Sequence, residues 1–389
     1  MFSSRVPGDL SPNTLAAAIE RMRLSGEPFA DLTLSNPTAA GLDYPTTLFD
    51  GLASPMSRRY EPEPFGLTCA RAAVAADYAR RGLRVPASRI ALTASSSESY
   101  ALLFKLLCDP GDAVLVPTPS YPLFEHLTRL ENVEARPYAT TYHGTWTIDL
   151  DDLRAAMTAT TRAVLVVSPN NPTGGWLKQD ELAALVDVCD HHDLALIGDE
   201  VFADYQIDQA PGAARSVIDQ DQVLAISLGG LSKSVGLPQL KLGWMALNGP
   251  ATSLQGALAR LELIADTYLS VATPVQVAAP HLLTDGLVVR QQIRERVNAN
   301  YHALGRLAIS YNACEVLRAE GGWSAVIRIP HTLPEDEQVR GLLERDHVLV
   351  HPGFFFDFPR DGYLVVSLLP EPGVFEPAVE RLLTAVSRG

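Results

Sequence analysis

Lys233 lies in Ile226-Ser-Leu-Gly-Gly-Leu-Ser-Lys233-Ser-Val-Gly-Leu-Pro-Gln-Leu-Lys241-Leu-Gly-Trp244, between an apolar run and a Gly/Pro-rich loop. Loop lysines are mostly solvated, but an amine held in a cleft becomes a nucleophile once its ammonium is desolvated or set beside other cations. Such an amine needs partners, and the chain holds candidates. Asp199 closes the apolar run Leu194-Ala-Leu-Ile-Gly-Asp199, where a buried carboxylate requires a cation, or else serves as a cap or structural ion pair. Ser95-Ser-Ser97 directly precedes a helical stretch, so its N–H groups and hydroxyls suit an anion at a positive helix end; an ordinary N-cap uses the same residue types. Asn171, in Asn170-Asn-Pro-Thr-Gly174, sits in a good turn sequence. Tyr121, in Pro119-Ser-Tyr-Pro122, offers a flat face for stacking or for core packing.

The elements that must position these residues alternate in kind. Runs at Ile90–Thr93, Val114–Val116, Ala163–Val167, Leu194–Ile197 and Leu224–Leu228 read as strands, and Leu242–Leu247 reads as the next one. Helical patterns at Ser97–Leu107, Leu123–Leu130 and Lys178–His191 fall between them. This predicts an α/β fold with a mostly parallel sheet covered by helices on both faces. Ligands gather at the carboxyl ends of such strands, and five polar clusters fall there: Ser95–Ser97, Pro119–Tyr121, Ser168–Gly174, Gly198–Asp199 and Ser232–Lys233. Thr14–Leu24 and Thr68–Arg81 read as helices, whereas Tyr44–Phe65, with Pro45, Pro55, Pro62 and Pro64, reads as irregular but ordered. Ala251–Ile264 and Asp285–Leu307 are further helices, followed by strands at Trp323–Ile329, Val348–Val350 and Tyr363–Leu368 and a terminal helix at Glu376–Val386. This change in order puts a boundary near residue 280.

At 389 residues the chain is long enough for two structural domains. Its net charge of -14 argues against nucleic acid or an anionic membrane as partner, leaving a small molecule. Cys69, Cys108, Cys189 and Cys314 lack metal-ligand spacing and fit reduced thiols. With no apolar leader after Met1 and no span-length apolar run, a cytoplasmic protein is expected.

A lysine amine makes chemical sense with a carbonyl cofactor, and pyridoxal phosphate needs a phosphate cradle, a carboxylate for its ring nitrogen and a stacking face. Taken together and in order, the candidates resemble the class I/II aminotransferases of the fold-type I pyridoxal-phosphate enzymes, over nearly the whole chain. The resemblance implies that Lys233 carries the cofactor, Asp199 pairs its ring nitrogen, Asn171 bonds its ring oxygen and Tyr121 stacks on it. It implies that Ser96, Ser97, Ser232 and Lys241 hold the phosphate, helped by Tyr60, in Tyr60-Glu-Pro-Glu-Pro-Phe-Gly66, reaching from the other subunit of a homodimer. The implied architecture is aspartate-aminotransferase-like: a large cofactor-binding domain at 46–280 with a mostly parallel, seven-stranded-type sheet, and a smaller α+β domain from both termini, made of 281–389 and part of the N-terminal arm at 1–45.

Departures from the family pattern bear on the reaction. Ser95 stands where a glycine is usual. Lys241 stands where an arginine usually grips the phosphate, a point charge in place of a fork. Phe202 stands where a tyrosine usually donates to the ring oxygen, which raises the expected pKa of the Lys233 Schiff base. Val365 stands where an arginine usually takes the substrate carboxylate, and losing a charge-assisted contact forfeits ~1.5–3 kcal/mol. Either another cation such as Arg360 or Arg328 takes that role, or the substrate lacks a carboxylate there; both arginines also read as solvated surface. Asn36 and Trp323 are the other candidate substrate residues. The expected activity is pyridoxal-phosphate-dependent transfer of an amino group between an amino acid or amine and a keto acid. A lyase or decarboxylase on the same scaffold is the alternative, and a non-catalytic cofactor-binding module is the third reading.

Overall fold

The structure, a computed structural model, describes residues 1–388. Helix α1 (Thr14–Ser25) begins at Asn13, whose side chain accepts the Ala16 N–H, and stops at Gly26. A two-residue strand β1 (Ala30–Asp31) follows, and the proline-rich stretch forms short 3-10 turns at Thr46–Ala53 and Pro55–Arg58 before α2 (Thr68–Arg80). The alternating section then runs β2 (Ile90–Thr93), α3 (Ser96–Leu107), β3 (Ala113–Thr118), α4 (Leu123–Leu130), β4 (Glu134–Tyr142), β5 (Trp146–Ile148) and α5 (Leu150–Ala156). It continues through β6 (Thr161–Val167), α6 (Gln179–His192), β7 (Ala195–Asp199), β8 (Ala225–Gly230), the single turn α7 (Leu231–Ser234) and β9 (Gly243–Asn248).

These strands form one sheet in the order β2-β9-β8-β7-β6-β3-β4-β5. The pairs from β8 to β4 are parallel, while β9 runs antiparallel to both neighbours and β5 closes a hairpin on β4. Successive residues of a strand enter opposite cores. Leu115, Val164 and Leu196 face a core shared with α2 and α6, whereas Val114, Leu165 and Ile197 face one shared with α3 and α4. Burial on both faces is what the unbroken apolar runs required. The hairpin of β4 and β5 and helix α5 were not expected. β4 carries Glu134, Arg136 and Pro137, and its first half pairs on one side only, where proline costs no ladder bond.

Beyond the sheet come α8 (Ala251–Tyr268), α9 (Thr273–Asp285), α10 (Leu287–Ala308), β10 (Glu315–Val316), β11 (Ser324–Arg328), α11 (Glu335–Asp346), β12 (Val348–Leu349), β13 (His351–Pro352), β14 (Tyr363–Ser367) and α12 (Pro372–Ser387). Four of these strands make a second sheet, β10-β11-β14-β13, and β12 pairs in parallel with β1. The N-terminal strip is pinned there: the Ser367 N–H donates to the Leu32 carbonyl at 2.6 Å and the Ser367 hydroxyl to the Leu34 carbonyl at 2.5 Å. Among the described residues no helix is long and apolar enough to cross a membrane.

Candidate active site

The carboxyl ends of β2, β3, β6, β7 and β8 meet a cavity of about 350 Å³ that the second sheet closes from the far side. Lys233 reaches it because β8 ends in Gly229-Gly230 and turns at once into α7. A Cβ at Gly229 would lie 2.4 Å from the Trp244 indole nitrogen, so β9 packs this closely only on glycine. The turn is fixed from behind: Tyr205 donates its hydroxyl to the Lys233 and Ser234 carbonyls, and Arg290 Nε donates to the Ser234 carbonyl at 2.7 Å.

The Lys233 ammonium lies 4.9 Å from the Trp323 ring centre and 5.5 Å from that of Phe202. Burial pushes its pKa down to about 8, against the opposing pull of Asp199. The side chain borders the open cavity, with protein surrounding it on most other sides. Asp199, at the end of β7, is affected the other way: burial raises its pKa, while bonds from the Tyr100 hydroxyl at 2.7 Å and the Val201 N–H at 3.3 Å favour its ionised form. A buried carboxyl beside a depressed lysine is the kind of pair that functional sites hold.

Ser95 caps α3, accepting the Glu98 N–H at 3.2 Å, while the Glu98 carboxylate accepts the Ala94 N–H at 2.5 Å. This reciprocal capping leaves the Ser96 and Ser97 N–H groups without an intramolecular acceptor among the described residues, at the wall of the cavity. Gly243 permits the arrangement, since a Cβ there would lie 2.8 Å from the Ser95 carbonyl carbon. In the loop after β6 the two asparagines divide their work. Asn170 is buried and accepts from the Thr173 hydroxyl at 2.9 Å, holding the turn; Asn171 faces the cavity and accepts the Ser324 hydroxyl at 3.3 Å. Tyr121 and Ser232 also line the cavity.

Other candidates lie elsewhere in this chain. Tyr60 is 68% exposed and borders no part of the cavity, and Lys241 is an exposed residue in the left-handed region. Asn36 spends its carboxamide capping the turn after it, accepting from Thr38. Arg360 donates to the Tyr363 hydroxyl at 3.2 Å and shares a separate surface depression with Arg328, which pairs with Glu315. Of the substrate candidates, Trp323 alone lines the cavity, with Val365 beside it. Sequence reasoning missed Tyr100, Ser35 and His351. The position of Tyr100 one turn into α3, on a helix already assigned to the site, is the one signal available for it.

The unpaired N–H groups of Ser96 and Ser97, the half-buried Asp199 carboxyl and the depressed Lys233 amine border one cavity. The description "Aminotransferase class I and II" matches residues 49–382. The chain belongs to the class I and II aminotransferases. It is 28% identical over 384 residues to glutamate-pyruvate aminotransferase AlaA of Escherichia coli K12, covering 95% of this chain and 93% of that one. It is also 28% identical over 376 residues to an alanine aminotransferase of Mycobacterium tuberculosis, covering 93% and 86%. Among solved structures, an aminotransferase from Escherichia coli superposes with a TM-score of 0.87 at 26% identity, covering 100% of this chain and 98% of that one. The alanine aminotransferase from Pyrococcus furiosus shares the fold at TM-score 0.90 and 23% identity, with both chains fully covered. The protein is thus a transaminase of aspartate-aminotransferase-like fold.

Proposed function

We propose that this transaminase works with pyridoxal phosphate, carried by Lys233, and moves an amino group from an amino compound to a keto-acid acceptor. The observation that carries the reading is that the Lys233 amine, the Asp199 carboxyl and the free N–H groups of Ser96 and Ser97 border one cavity. The residues that line the cavity fit the cofactor: Ser96, Ser97 and Ser232 suit its phosphate, Asp199 its ring nitrogen, Asn171 its ring oxygen and Tyr121 its ring face, whereas the resemblance's further phosphate residue, Lys241, lies outside the cavity lining. When bound, pyridoxal phosphate supplies an electron sink for the carbon that bears the amine.

The chain's own residues do the rest. With its pKa near 8, Lys233 has a far larger neutral fraction at about pH 7 than an exposed lysine, so Nζ, once the incoming amine has displaced it, can take the proton from the amine-bearing carbon and hold it for delivery to a different carbon. Asp199 stays anionic once a cation is offered to it, because the Tyr100 hydroxyl and the Val201 N–H already favour that form. Trp323 and Phe202 cover one side of Nζ with apolar ring surface.

The reading extends to a homodimer in which Tyr60 of a second copy completes the phosphate site, which suits its exposure here. It also takes 46–280 as the cofactor-binding unit and joins 1–45 to 281–389, supported by the β1–β12 pairing. Four unpaired cysteines accord with a cytoplasmic location. Borohydride reduction of the cofactor-loaded protein followed by peptide mass mapping tests the assignment. The cofactor mass should sit on the peptide holding Lys233, and Lys233→Ala should lose both the label and turnover. A label on another lysine, or turnover by Lys233→Ala, would refute it.

A further inference from the structure

The cavity is polar on one side and nearly neutral on the other. Its far wall is built by Thr33, Ser35, Ser324, His351, Val365 and Ser367. His351 and Val365 are direct partners across β13 and β14, so their side chains stand next to each other on one face. None of these six residues is an arginine, lysine or carboxylate, and the two candidate guanidiniums, Arg328 and Arg360, lie in the separate depression. Most of the wall's hydroxyls are already committed. Ser324 donates to Asn171, Ser367 to the Leu34 carbonyl and Thr33 to Asp31. Ser35 and His351 make no side-chain hydrogen bond among the described residues. His351 stacks on Phe355 with ring centres 4.9 Å apart and planes 3° apart, and burial lowers its pKa to about 4, so it meets a ligand as a neutral imidazole.

A carboxylate entering this wall would lose its hydration without gaining an ion pair, which is unfavourable in a buried site. A neutral polar group would lose far less and find two free partners. We infer that the wall receives an uncharged polar substituent on the amine-bearing carbon, such as a carboxamide or hydroxymethyl group, hydrogen-bonded by Ser35 and His351. This rests on the reading that Lys233 carries the cofactor. The carbonyl carbon of the acceptor meets the same wall, so the restriction falls on both partners, while a carboxylate further along either chain is untouched by it.

The test uses the cofactor-loaded enzyme and matched ligands. The absorbance change of the first half-reaction is titrated with L-alaninamide and with L-alanine, and calorimetry compares propionamide with propionate, which cannot react. The amide of each pair should bind at least about tenfold more tightly, and His351→Phe should weaken the amide about fivefold or more without altering the absorbance of the unliganded enzyme. Val365→Arg should reverse the preference; should that variant not fold, the wild-type ratios decide. Equal or tighter binding of the carboxylates, with cofactor still fixed to Lys233, would overturn the inference and leave the cofactor reading standing. Failure to fix cofactor on Lys233 would overturn both.

Discussion

Replacing Lys233 by Met should stabilise the cofactor-free protein at about pH 7, although it destroys the proposed site. The methionine chain keeps the packing against Trp323 and Phe202 and removes an ammonium that burial disfavours. Lys233 titrates near 8 in the folded chain against an ordinary value of 10.5, with the attraction of Asp199 already inside that shift. At ~1.4 kcal/mol per unit the ammonium costs the folded state ~3 kcal/mol. The amine borders an open cavity, which screens part of this, and the lost cation–π contacts subtract ~0.5–1 kcal/mol, so a net gain of ~1–2 kcal/mol is expected. Because the folded pKa lies below the unfolded one, the unfolded chain binds more protons between pH 8 and 10.5, and wild-type stability rises across that window. The gap between variant and wild type is therefore full below about pH 8 and should close by about pH 10.5. Urea unfolding of both stripped proteins at several pH values measures it. A Met variant no more stable than wild type at about pH 7, or a gap that persists unchanged to high pH, would refute burial as the cause.

Other perturbations probe the scaffold and the cavity. Glu200→Ala removes a buried carboxylate that accepts from Arg81 at 3.1 Å, Ser227 at 2.8 Å and Ser216 at 2.6 Å; stranding Arg81 should cost ~3–5 kcal/mol, read as a lower urea midpoint. Gly174→Ala places a Cβ 2.6 Å from the Ala319 Cβ and 2.7 Å from the Gly321 carbonyl at φ +70°. It should cost ~1–3 kcal/mol and alter the near-ultraviolet circular dichroism of nearby Trp323. Tyr100→Phe deletes a hydrogen bond to the Asp199 carboxyl and should raise the pyridoxal phosphate dissociation constant about 10- to 100-fold by equilibrium dialysis. The folded pKa of His351, about 4, lies below its ordinary 6.5, so acidification through that window draws protons to the unfolded chain and erodes stability. His351→Gln should retain ~1–3 kcal/mol of what wild type loses on going to about pH 4, measured by urea unfolding.

The chemistry near Lys233 was legible because it is local. A strand, two glycines and a one-turn helix lie within a dozen residues, and Ser95, Asn171 and Asp199 each follow an apolar run that sets their height in the sheet. Of the far wall only Val365 was legible, through the family resemblance; the rest is set by register rather than by sequence proximity. His351 gains its place from pairing with Val365, and Ser35 from bonds between Leu32 or Leu34 and Ser367. Helix α9 escaped notice because Pro274 and Pro280 lie within it, and α11 because its acid-rich first turn resembles a solvated loop. In both cases tertiary packing overrides a weak local signal.

The pin between Ser367 and the Leu32–Leu34 strip has an evolutionary reading. It joins the first few dozen and the last few dozen residues into the wall proposed to meet the substrate, whereas the residues proposed to hold the cofactor hang from the central sheet. Inheritance of the two surfaces is therefore separable. Substitutions near the two ends of the chain should change what the cavity accepts while the proposed cofactor cradle stays in place.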